Sequence, residues 1–235
     1  MFFLKILASD FNETLFFEND EEKNIRNINA IKKFMSHGNS FCIITGRNYS
    51  DIKLLLNKYD IPYTYLICED GAKIFNNMDY CIDTIYLDKE LIKEIIDIIK
   101  EYNYDYYLDD GYNITNNIND CVKVVINCSE KDKQVEIVNK IKKNIKVYVY
   151  ASKYHINIVD SSVNKASALK RLLNIESLSY NNLHVIGDND NDYEMVKSFS
   201  GAIMKKHHSL LNDLGKKEYD ELSDYINDLL KNERL

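Results

Sequence analysis

The segment FFLKILASDFNETL, residues 2–15, joins an apolar run to a polar turn. Ile6-Leu7-Ala8 is a short apolar run of buried-strand type, and it stops abruptly at Asp10. Phe11-Asn12-Glu13-Thr14 follow as a turn. In an open α/β sheet, ligands collect in the crevice beyond the carboxyl ends of the strands. A carboxylate standing there can ligate a metal or act as a nucleophile. Taken alone it can equally cap the following turn, as aspartate often does. The rest of the chain decides between the two.

Working outward, residues 18–22 make an acidic turn, and Ile25, Ile28, Ile31, Phe34 and Met35 then recur at helical spacing up to Gly38. Ser40–Ile44 is a second buried strand, ending in Thr45-Gly46-Arg47. A helix carrying Ile52, Leu55 and Leu56 leads to a third strand, Tyr65–Cys68, ending in Glu69-Asp70-Gly71-Ala72. This βαβαβ order predicts a parallel sheet covered on both faces. The rhythm then changes. Residues 81–87, 104–108 and 121–128 read as strands, and 146–150 with 155–159 as a hairpin. Residues 88–102 form a helix with Leu91, Ile95, Ile98 and Ile99 inward, and 130–143 another with Val135, Val138 and Ile141 on one side. From Asn164 the first rhythm returns, with helices at 165–173, from Tyr193 and at 218–230, and strands at 183–186 and 201–204. The expected class is therefore α/β: a Rossmann-like parallel-sheet core, discontinuous over residues 1–75 and 154–235, with a small α+β domain inserted at 76–153.

At 235 residues there is room for one large domain or two modest ones. A net charge of −7 and a pI near 5.3 argue against a nucleic-acid-binding surface, which shows a basic footprint. A local site can still oppose the global charge and take a small anion. No stretch reaches the roughly 18–20 apolar residues that span a bilayer. No basic region precedes the first apolar run, so no signal peptide is expected. The five cysteines are odd in number and lack a CxxC, which reads as reduced thiols of a cytoplasmic protein. His155, His207 and His208 read as surface or packing residues.

Polar groups gather where strands end. Asp10 ends the first strand and Thr45 the second, Asp188 and Asp192 follow the strand at 183–186, and Lys165 opens a helix. Each has an ordinary reading alone; together they mark one crevice. The segments that carry them are ASDFNETL (8–15), IITGR (43–47), EDGA (69–72), NKASALKRL (164–172) and VIGDNDNDYEM (185–195). In content and order they resemble the haloacid dehalogenase superfamily, in its Cof-like phosphatase branch with a cap between the second and third motifs. The resemblance implies an HAD-like core, a cap at 76–153, and a Mg2+-dependent phosphohydrolase. Its substrate would be a small phosphorylated metabolite such as a sugar phosphate, with no nucleic-acid or membrane partner, and the chain a monomer or homodimer. It implies that Asp10 is the nucleophile and forms an aspartyl-phosphate. Asp10, the Asn12 main-chain oxygen and Asp188 would hold Mg2+, with Asp192 at the metal site or holding Lys165. Thr45, Gly46, Arg47, Asn191 and Lys165 would surround the phosphoryl group, Lys165 neutralising its charge.

One position departs from the pattern. The family phosphatases read D-x-D-G-T-L, whereas this chain reads Asp10-Phe11-Asn12-Glu13-Thr14-Leu15. The second aspartate is the family's general acid and base, a role worth about 10²- to 10⁴-fold in rate. An amide at position 12 can neither give nor take that proton, and the loss weighs most on poor leaving groups. Glu13 stands where the family has glycine, which removes freedom to adopt positive φ; a shifted turn would bring its carboxylate within reach as a substitute acid. Four readings follow: a phosphatase with slow or altered chemistry, a non-catalytic relative that binds Mg2+ and phosphorylated ligands, a chain into which Asn12 was introduced in place of aspartate, and a phosphotransferase or mutase.

Overall fold

The computed structural model describes residues 4–231. Phe2 and Phe3, at the head of the decisive stretch and in the run read as lacking a leader's features, lie outside the described residues, as do positions 232–235 of the core. In chain order the first elements are β1 (Ile6–Asp10), α1 (Glu21–Ser36), β2 (Ser40–Ile44), α2 (Tyr49–Lys58), β3 (Tyr65–Cys68), β4 (Lys73–Asn76) and β5 (Cys81–Thr84). Then come α3 (Lys89–Tyr102), β6 (Tyr106–Asp109), β7 (Ile114–Thr115), β8 (Lys123–Asn127), α4 (Lys131–Asn144), β9 (Val147–Ala151) and β10 (His155–Asp160). The chain closes with α5 (Lys165–Ile175), β11 (Leu183–Gly187), α6 (Tyr193–Ser198), β12 (Ser200–Met204), β13 (Lys217–Tyr219) and α7 (Leu222–Lys231).

The large sheet runs β13-β12-β11-β1-β2-β3-β4-β5. Strands from β13 to β3 are parallel, and β4 and β5 turn back antiparallel at the edge. Side chains on a strand alternate between faces. Leu7 accordingly packs in the layer of Ile31, Phe34 and Ile226, while Ile6 and Ala8 pack in that of Leu169, Leu172 and Val196. Helices thus cover both faces, which is why β1 and its neighbours are continuous apolar runs. The local signals agree: Asp20 caps α1 by accepting from the Lys23 N–H, and Glu21 and Glu22 suit the positive end of its dipole. The small sheet runs β7-β6-β8-β10-β9, all antiparallel. Ile95 and Ile99 of α3 and Ile137 and Ile141 of α4 pack with Val124, Ile126, Ile156 and Ile158 of its central strands.

Several expectations are corrected. Cys81–Thr84 joins the edge of the large sheet and His155–Asp160 lies inside the small one, each across the boundary read at 76 or 153. The cause of the first is a tight turn: Asn76 Oδ1 accepts the Met78 and Tyr80 N–H groups, and the chain folds straight back onto β4. On α4, Gln134 and Ile137 face inward while Val135 is 60% exposed. The buried Gln134 amide donates to the carbonyls of Cys128 and Ser152, so its polar end is satisfied in the interior. The final helix begins at Leu222, because Lys217–Tyr219 extends the large sheet. β4, β7 and β13 are too short or too polar to stand out by pattern.

Candidate active site

β1 lies between β2 and β11, all three parallel, so their carboxyl ends share one edge. Asp10, Thr45 and Asp188 therefore meet there from distant parts of the chain. Lys165 opens α5, whose start is fixed by a reciprocal capping box between Asn164 and Ser167. Its side chain is 1% exposed, and Nζ donates to Asp10 Oδ1 at 2.5 Å and to Asp192 Oδ1 at 2.6 Å. The other Asp192 oxygen accepts the backbone N–H groups of Asp188 and Asn189, both at 3.0 Å. Thr14 Oγ1 donates to Asp188 Oδ1 at 2.6 Å. Gly187 is required by this packing, since a Cβ there would overlap the Asp192 carboxylate.

Asp10, Asp188 and Asp192 each bring a carboxylate oxygen within 4.8 Å of the others. Burial pushes the Asp10 carboxyl up to about 6, with Lys165 opposing and Asp192 adding to the rise. Burial, Asp10 and Asp192 together push Asp188 up to about 8. Burial works against the Lys165 charge, but Asp10 and Asp192 outweigh it and hold the ammonium protonated. Three carboxylates against one ammonium make a donor set short of positive charge, and oxygen ligands are what Mg2+ takes. Asp192 has both oxygens engaged, so Asp10 and Asp188 are the open carboxylates. The turn after β1 is closed by Glu13 N–H to Phe16 O, Leu15 N–H to Phe11 O and Phe16 N–H to Phe11 O. None of these uses the Asn12 carbonyl. The residues present fit a magnesium ion.

Glu13 adopts φ +57°, so the turn keeps a left-handed residue without glycine, contrary to expectation. Asn12 Oδ1 accepts from Arg47 Nη2 at 2.9 Å, while Arg47 Nε is buried without a hydrogen-bond partner among the described residues. Thr45 is fully buried beneath this point. Its Oγ1 accepts the Arg47 N–H at 3.1 Å, which leaves the hydroxyl hydrogen free to donate. Above the carboxylates lies a cleft of about 690 Å³, roofed by the small sheet and lined on the core side by Asp10, Asn12, Gly46, Arg47, Asp188 and Asn191.

A second polar cluster joins the two sheets beside this cleft. Lys123 opens β8 and is buried; its Nζ donates to Gly46 O at 2.9 Å and Asp70 Oδ2 at 2.8 Å, and lies 3.1 Å from Glu69 Oε2. Tyr150 of β9 donates to the same Asp70 oxygen at 2.7 Å, and Asn191 Nδ2 reaches Asp70 Oδ1 at 3.3 Å. Burial would raise the Asp70 pKa, but Lys123 and Tyr150 more than offset it; burial pushes Glu69 up to about 8, with Lys123 opposing. The available signal was a lysine at the head of the otherwise apolar run Val124-Val125-Ile126.

A family model described as haloacid dehalogenase-like hydrolase matches residues 7–119 and 108–214. A protein of Buchnera aphidicola named as a candidate phosphatase is 25% identical, over 94% of this chain and 97% of its own. A 5-amino-6-(5-phospho-D-ribitylamino)uracil phosphatase of Bacillus subtilis is 23% identical, over 84% of each chain. The solved structure of a candidate HAD/Cof-like hydrolase from Plasmodium vivax, 17% identical, shares the fold at a TM-score of 0.82, over 97% of this chain and 96% of its own. The family match runs through nearly every element that builds the site, and this chain belongs to the haloacid dehalogenase-like hydrolase family.

Proposed function

We propose that the protein is a Mg2+-dependent phosphatase that hydrolyses a small phosphorylated metabolite through an aspartyl-phosphate at Asp10. The observation that carries this reading is Lys165, buried beneath the cleft and bridging Asp192 to Asp10, which lines the cleft together with Asp188. Both curated relatives bear the name of phosphatase, one of them for a small phosphorylated compound. We also assign the division between core and cap to the strand pairing, near residues 85 and 160. The buried thiols of Cys42, Cys68, Cys121 and Cys128 suit a reducing cytoplasm, and no helix among the described residues is long and apolar enough to cross a membrane.

Asp10, Asp188 and the Asn12 carbonyl would hold the ion, which when bound screens the repulsion between carboxylate and phosphate dianion. Asp10 Oδ2, the oxygen not engaged by Lys165, bonds to phosphorus as the bond to the leaving oxygen breaks. Lys165 neutralises the charge that gathers on the transferring group. Thr45 donates its free hydroxyl hydrogen to a phosphoryl oxygen. Asp192 keeps Lys165 and the loop after β11 in place. At position 12 the amide can donate a hydrogen bond to the leaving oxygen but no proton. The leaving group therefore departs as an anion, and water attacks the acyl phosphate without a base from this position. Acidic leaving groups are favoured.

Release of phosphate from an aryl phosphate in Mg2+ tests the proposal. Turnover that both a chelator and Asp10→Ala abolish is expected; equal release by the wild type and Asp10→Ala overturns it. Asn12 favours a second reading, a relative that binds Mg2+ and phosphorylated ligands without turnover. Calorimetry showing such binding alongside no phosphate release would support it, and enzyme-like rates would exclude it.

A further inference from the structure

The floor of the cleft carries Asp10, Glu13, Asp188 and Asp190; the wall opposite, built by α4 and the β9–β10 hairpin, carries no carboxylate among the described residues. Its charged groups are lysines. Lys123 is spent on Asp70, Glu69 and Gly46. Lys131 and Lys153 have no carboxylate within ion-pair distance among the described residues; Lys153 lies over the Tyr154 ring at 4.8 Å. Helix stability does not explain Lys131, because a cation at the first residue of α4 stands against the helix dipole. The rest of the wall is Gln134, Tyr150, Ala151, Ser152, His155 and Asn157; Ser152 and Asn157 are hydrogen-bonded to each other at 3.2 Å, and among the described residues no valine, leucine, isoleucine or phenylalanine lines the cleft.

With the transferring phosphoryl group at Asp10 on the floor, the leaving portion lies on the side of this wall. An apolar leaving portion would strip water from two ammonium groups and return nothing. A neutral polyol would satisfy the serine and amide and leave both cations unpaired. A second anionic group would pair with them through charge-assisted hydrogen bonds.

We propose that Lys131 and Lys153 are specificity-determining residues that read a second anionic group, carboxylate or phosphate, on the leaving portion of the substrate. This rests on the phosphatase reading of the same cleft. The lysines are solvent-accessible, and two such pairings give a preference on the order of tenfold.

The test uses matched ligands on the full chain with Mg2+: glycerol phosphate against phosphoglycerate for a carboxylate, and glucose monophosphate against glucose bisphosphate for a second phosphate. Binding is read by calorimetry, which needs no turnover, and kcat/KM is compared where turnover occurs. The doubly anionic member of at least one pair is expected to bind roughly tenfold tighter, and the pair that shows the gain identifies the anion. The preference is expected to shrink as salt rises and to vanish in the Lys131→Gln/Lys153→Gln variant, whose thermal midpoint checks its folding. Equal affinity within both pairs overturns the proposal, as does a preference that survives in the double variant. Aryl phosphate turnover without any preference would sink this inference alone; a preference without turnover would sink only the phosphatase reading.

Discussion

Asn12 directs its side-chain oxygen to the Arg47 guanidinium at 2.9 Å, and among the described residues no group accepts from its NH2. Arginine stays protonated at any working pH and so cannot supply the missing proton. A carboxylate at position 12 would occupy the same place, pair with Arg47, and add an acid and base to the site. Asn12→Asp is therefore expected to raise kcat/KM for alkyl phosphates by about 10²- to 10⁴-fold, and less for aryl phosphates, whose leaving groups need no proton. Rates across a series of leaving groups measure this, and an unchanged alkyl rate would mean that the proton comes from elsewhere. Lys165 differs in kind. It was legible as the head of a helix near the other strand ends, but its burial and its bridge to two carboxylates depend on where α5 packs.

Among the elements, the turn after β1 holds a left-handed residue without glycine. Glu13 sits at φ +57°, where a non-glycine residue costs on the order of 1 kcal/mol or more. Glycine relieves that strain but gains freedom in the unfolded chain, which returns part of the benefit. Glu13→Gly is thus expected to raise the unfolding free energy by about 0.5–1 kcal/mol in denaturant titrations. A fall would show that the Glu13 side chain contributes contacts worth more than the strain. The same scale explains the error on α4. Val135 is more apolar than Gln134, so periodicity counts it into the apolar face; Ile141 and Val138 do pack inward, and only the first turn is rotated, with Gln134 buried and Val135 exposed. The carbonyls of Cys128 and Ser152 need a buried donor, and Gln134 supplies it.

In the whole molecule, the two sheets are joined by Lys123, Glu69, Asp70 and Tyr150. Burial raises Glu69 from an ordinary 4.5 to about 8, so the native state holds a proton there that the unfolded chain has lost. The stability this proton confers is full below pH 4.5 and disappears as pH rises through about 8. Thermal midpoints of the Mg2+-bound protein are expected to fall across that window, and Glu69→Gln, which cannot ionise, is expected to flatten the slope. Identical profiles for the two proteins would show that Glu69 is ionised in the native state throughout.

The alternation of core strands and helices along the chain, the parallel sheet and the polar groups at the strand ends were legible in the sequence. A strand buried on both faces must be a continuous apolar run, and the residue that ends it must lie at the sheet's edge. The tertiary structure alone decided which sheet β5 and β10 join, how Arg47 meets Asn12, and how Lys123 crosses to Asp70 over 53 positions of chain. Each is a contact between segments whose local patterns are satisfied by more than one partner, and only the packed chain selects among them.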